Sequence, residues 1–125
     1  MTAKLTVLMI LAFPVLAHHS FSAEYDSKQP VELKGTVTKV EWTNPHARFY
    51  VDVKDDKGAV TNWNFELASP NVLSRNGWSR NALKVGDVVT VAGARAKDGA
   101  HMANARSVTL ADGRKVFARN VDDPQ

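Results

Sequence analysis

The sequence has no cysteine. Disulfides, thiolate zinc sites and thiol catalysis are therefore excluded, and so is the lipid-bearing cysteine that a bacterial lipoprotein requires. Long apolar runs are also scarce. The one near the start, Leu5 to Leu16, is interrupted by Thr6 and is too short to span a bilayer comfortably. Charge of one sign is missing too: Lys and Arg number 16 against 13 for Asp and Glu, a net charge of +3. The basic residues are scattered rather than stacked on one stretch. That pattern excludes the clustered basic face of a nucleic-acid binder and reads as a solvated surface. There is no Gly-rich phosphate loop, no nucleophile elbow and no Ser-His-Asp arrangement, so no catalytic residues are assigned. Internal repeats and low-complexity tracts are absent as well.

What is present is a chain of 125 residues, 44% of them apolar, enough for one compact core. Met1 to Ala17 reads as a secretory signal peptide: Lys4 gives the positive start, the apolar run follows, and Val15-Leu16-Ala17 forms the cleavage site. Cleavage after Ala17 predicts a periplasmic protein, not embedded in the membrane, that begins His18-His19-Ser20-Phe21. Residues 18–30 read as an extended arm, with Phe21 and Tyr25 as possible anchors, and residues 120–125 as a loose polar tail.

Between them, residues 31–119 alternate as strands do. Val31, Leu33, Gly35 and Val37 share one parity, and at Val40 and Trp42 the apolar parity switches, which predicts a bulge or sharp bend. Gly35 marks a close backbone approach. After the Asn44-Pro45 turn, a second strand runs from His46 to Lys54. It places Ala47, Phe49, Val51 and Val53 on one face and Arg48, Tyr50 and Asp52 on the other. Asp55 to Gly58 is a hairpin turn. A third strand, Val60 to Leu67, puts Trp63, Phe65 and Leu67 inward and Asn62, Asn64 and Glu66 outward. Ser69-Pro70 has the chemistry of a helix start, and Gly77 that of its stop. Further strands run over Val88 to Ala96, Met102 to Leu110 and Lys115 to Ala118. Three strands, one short helix and two or three more strands is the order of a small OB-fold-like β-barrel. The phrase Leu83-Lys84-Val85-Gly86-Asp87 suits the start of its fourth strand. A small β-sandwich is the rival, and it gives the helix no obvious role.

His18-His19-Ser20-Phe21, Trp42-Thr43-Asn44-Pro45-His46-Ala47, Ser69-Pro70-Asn71 with Gly77-Trp78, and Leu83-Lys84 with Gly86-Asp87 stand together in this chain. In that combination it resembles a family of small exported bacterial proteins known as domain of unknown function 6152. The resemblance covers the mature chain and implies export and a small β-barrel. It implies no activity.

The chemistry must then come from the residues. A mature amino-terminal His18 offers its α-amine and ring Nδ1 to one metal; His19 offers a second chelate through amine, amide and ring. Both suit Cu(II), which favours tetragonal, nitrogen-rich sites. His46, on a stiff Asn-Pro turn, can complete the set. His101, beside a hairpin turn, is the weaker candidate. The bland alternative is a polar start to an arm. Trp42, Arg48, Tyr50, Glu41 and Glu66 form a candidate ligand-binding face. Separately, Trp42, Trp63 and Trp78 with Phe49, Tyr50 and Phe65 could form a stacking platform of the kind OB barrels use for single strands or sugars, with core and barrel caps as the plain reading. Glu41 and Glu66 could also meet across strands as an acid-base couple, against the commoner case of surface carboxylates. Three readings follow: a non-enzymatic periplasmic binding protein that handles copper, a binder of a peptide, glycan or partner protein, and a small metalloenzyme.

Overall fold

The computed structural model describes residues 21–117. A single helical turn, α1 (Phe21–Glu24), leads into the long strand β1 (Tyr25–Glu41). Then follow β2 (Arg48–Lys54), β3 (Val60–Glu66), the helix α2 (Pro70–Arg75), β4 (Val88–Ala96), β5 (Met102–Leu110) and the short β6 (Lys115–Phe117). The chain is mostly β, with its short helix between β3 and β4, as the alternation and the Ser69-Pro70 start predict. β1 begins inside the segment read as an arm, and its first residues already pair with β4, Tyr25 opposite Ala96.

The strands form one sheet in the order β3-β2-β1-β4-β5-β6, and β3 pairs in addition with β5. That extra pairing is parallel, through Asn64, Phe65 and Glu66 opposite Met102, Ala103 and Asn104. The other pairings are antiparallel. Five strands therefore close into a ring of mixed direction, and β6 extends from β5.

Ring closure needs local irregularity, and three register shifts supply it, the first where β1 loops out against β4 between Asp26 and Pro30. In β1 the register with β2 shifts between Val37 and Lys39. Thr38 is the extra residue, and this is the predicted parity switch from Val37 to Val40. The backbone amide of Val37 donates to Asp87 O (2.8 Å), and Gly86 N donates to Val37 O (2.8 Å). The bend is thereby tied to the turn that starts β4. Just before it, Gly35 lies so close to β2 that a Cβ would collide with the Asp52 carbonyl oxygen. Opposite Ala92 and Gly93 of β4 the register of β5 shifts, and Arg106 of β5 is the extra residue. β4 itself has no extra residue there, and its two faces serve two clusters: Val89 and Val91 the main core on one parity, Ala94 and Ala96 a second cluster on the other.

The main core fills the ring with Phe49, Val51, Trp63, Phe65, Val91 and Val108 among its buried members. Phe49 and Phe65 are direct cross-strand partners and stack at 5.2 Å. The helix closes one side of this core. Ser69 is its N-cap, its Oγ accepting from Val72 N at 3.3 Å, with Pro70 at the first helical position. At the other end Gly77, at φ +90°, takes the left-handed turn. Trp78 N then donates to Leu73 O (2.9 Å) and Gly77 N to Ser74 O (3.2 Å), the two bonds of a Schellman stop. The turn carries Trp78 back into the core beside Leu73. No described helix is long and apolar enough to cross a membrane.

Candidate functional site

Strand alternation assigns Glu66 to the outside of the ring, and its parity is indeed opposite to Phe65 and Leu67. Yet Glu66 is only 6% exposed. The cover comes from the start of β1. Tyr25, 2% exposed, sits in the second cluster against Ala94 and Ala96, with Phe21 and Met102 packed around it. Small residues at 94 and 96 leave room for its ring. Its hydroxyl donates to Glu66 Oε2 at 2.9 Å.

A buried carboxylate needs partners for its charge, and Glu66 has three. Arg48, directly opposite it on β2, donates from Nη2 to Oε2 at 2.7 Å. Tyr25 shares that oxygen. On the other side, His46 Nδ1 lies 3.4 Å from Oε1 and 3.1 Å from the Leu67 carbonyl oxygen. Arg48 is fixed further by Nη1, which reaches Asn64 Oδ1 (3.3 Å) and Met102 Sδ (3.8 Å). The phenol of Tyr25 is pushed well above its ordinary range, first by burial and then by the adjacent Glu66 charge.

His46 owes its place to the turn before it and the pairing after it. The Asn44-Pro45 bond is cis. Ala47 N donates to Ala68 O (3.0 Å) and Leu67 N to Ala47 O (2.8 Å), which continues the β2–β3 contact past the end of the ladder. Both atoms that face Nδ1 are acceptors, so the favourable tautomer carries its proton on Nδ1. In that tautomer Nε2 carries the lone pair, and the side chain is 34% exposed.

The other predicted site residues divide. Glu41, Arg48 and Glu66 stand in register across β1, β2 and β3. However, Glu41 is held by Lys39 at 2.8 Å, which keeps its carboxyl below the usual range, and it accepts from Tyr50 at 3.4 Å. Lys39 also lies over the Tyr50 ring at 5.5 Å. Each carboxylate thus has its own cation, and no acid-base couple is formed. Trp42 packs at the edge of the main core, and Trp63 and Trp78 are inside it, so the three indoles make no shared stacking platform. His101 is elsewhere, its ring 5.3 Å from Trp63. His18 and His19 lie outside the described residues. Among the described residues no group of three His, Cys, Asp or Glu side chains could hold a metal by itself.

Two members of the neighbourhood were not picked out as site residues. Tyr25 was legible only as an apolar anchor. Asn104, opposite Glu66 on β5 and 1% exposed, has a buried Nδ2 with no hydrogen-bond partner. Its signal was faint: an amide between two alanines in a strand.

Comparison with known proteins gives one finding. A family of unknown function (DUF6152) matches the chain over residues 6–105. No curated protein and no solved structure matches it.

Proposed function

The chain belongs to the family of unknown function DUF6152, and because that description names no activity we propose a function from its own residues: an exported periplasmic binding protein that takes up Cu(II) through its mature amino terminus and His46. In this reading the ring is an OB-like barrel. Its support is the closed order β1-β2-β3-β5-β4 with a helix between β3 and β4. His18 contributes its amine and imidazole, His19 is the alternative donor from the same segment, and His46 supplies Nε2.

The observation that carries the proposal is the setting of His46. Metal-binding histidines donate their second ring N–H to a carbonyl or carboxylate, which fixes the ring and the tautomer. His46 Nδ1 faces one of each, Leu67 O and Glu66 Oε1. Chain connectivity adds support. Phe21 packs on Tyr25 with ring centroids 5.6 Å apart, and Tyr25 reaches Glu66, which faces His46. His19 and His18 precede Phe21 by two and three residues, a span of about 7–11 Å when extended.

The partner-binding reading draws less support, because Arg48 and Glu66 are engaged with each other and Trp42 packs on the core. The metalloenzyme reading draws less support too, since among the described residues Glu66, the carboxylate that faces His46, is held by Arg48 and Tyr25. The test is calorimetric titration of Cu(II) into the processed protein and its His46→Ala variant. The proposal expects the variant to bind about tenfold more weakly or worse, a loss of roughly 1.4 kcal/mol or more. Unchanged affinity would remove His46 from the site.

A further inference from the structure

A second site is argued from a different set of residues and does not depend on copper. β1, β2, β3 and β4 leave a groove of about 300 Å³ whose apolar wall is Leu33, Val53 and Trp63 and whose polar groups include Lys54, Arg95 and His101. With Ala94 and Ala96 turned to the second cluster, Arg95 takes the other parity, and its guanidinium lies over the Trp63 indole at 5.3 Å. The His101 ring approaches the same indole at 5.3 Å, tilted by 54°.

The donors of Arg95 are incompletely used. Nη2 donates to Gly99 O at 2.9 Å, but Nε is buried without a hydrogen-bond partner. A buried, unpaired N–H on a charged group is costly. The Trp63 face attracts the cation yet offers no lone pair in the plane of the guanidinium. The acid in the groove does not answer the need: Asp55 Oδ1 accepts from Lys57 N and Ala59 N, both at 2.9 Å, and so serves its own turn. Among the described residues no carboxylate pairs with Lys54 or Arg95. An apolar wall with a few convergent polar groups is the make-up of a small-ligand site, and a planar carboxylate matches a guanidinium edge.

We propose that this groove binds a small carboxylate carrying a flat apolar body of about one ring, its oxygens on Arg95 and Lys54 and its ring against Trp63, Leu33 and Val53. Benzoate is the probe, with benzamide as its uncharged analogue and acetate as the charge without the ring. Titration followed by calorimetry should give saturable benzoate binding, with both controls weaker by about tenfold or more, the worth of one charge-assisted hydrogen bond. Arg95→Met keeps an apolar stem over Trp63 and removes the donors; it should melt as the parent does and lose benzoate by a similar factor. Absence of saturable benzoate binding would overturn the proposal, as would equal affinity for benzamide or acetate, or undiminished binding by folded Arg95→Met. If Arg95→Met does not fold, the Trp63 indole N–H resonance of the parent decides. Benzoate should shift it in a saturable way, and a resonance that does not move overturns the site.

Discussion

Tyr25 and Glu66 are 41 residues apart in sequence and share a 2.9 Å hydrogen bond beneath the surface. That bond joins the start of the chain's longest strand to the end of β3. Glu66 in turn faces His46 and Arg48, so the same carboxylate holds the amino-terminal segment, a cation and an imidazole in one place.

Tyr25→Phe tests the bond directly. It removes the hydroxyl and keeps the ring, and should cost about 2 kcal/mol, as expected for a hydrogen bond to a charged acceptor. The pH dependence supplies a second reading. The fold favours the neutral phenol, whose pKa is raised above its ordinary 10.0 by burial and by Glu66. The stability it contributes is therefore complete below about pH 10 and is lost as pH climbs beyond that value. Urea unfolding across an alkaline series should show this decline in the parent, and a smaller decline in Tyr25→Phe.

Glu66 and Arg48 should behave as a unit. Glu66→Ala leaves a half-buried guanidinium without its closest acceptor and should cost about 2–4 kcal/mol. Arg48→Met should cost a similar amount by stranding the carboxylate. The double variant should lose clearly less than the sum of the two. A strictly additive result in denaturant unfolding would show that the pair is not coupled.

Two glycines separate space from backbone conformation. At Gly35 a Cβ would run into the Asp52 backbone, so Gly35→Ala should cost about 2–3 kcal/mol by overpacking. At Gly58 nothing lies within 4 Å, but φ is +82°. Gly58→Ala should therefore cost only the left-handed strain, about 1 kcal/mol. Thermal melts that reverse this order would contradict the described packing of β1 on β2.

Much of this fold was legible in the sequence, because the relevant signals are local. The parity switch between Val37 and Val40 located the Thr38 bulge. Ser69-Pro70 and Gly77 bracketed the helix, and Trp63 and Phe65 declared the inner face. The surroundings of Glu66 were not legible. Alternation gives the side of a strand on which a residue lies, and it is silent about what another segment lays over that side. Nothing near Glu66 in sequence announces that Tyr25 covers it. The parallel pairing of Glu66 with Asn104 is equally non-local. The two proposed amino-terminal ligands were read from chemistry alone, and they precede the described residues.

The central claim is most directly tested at the amine of His18. Cu(II) should be titrated into processed protein that begins with His18, and into a form with one additional residue before it. The account predicts that the extension weakens binding by about tenfold or more. It also predicts that affinity of the processed form falls as pH drops, because nitrogen ligands must be unprotonated to bind a metal. Equal affinity for the two forms would contradict the account, whatever His46 does.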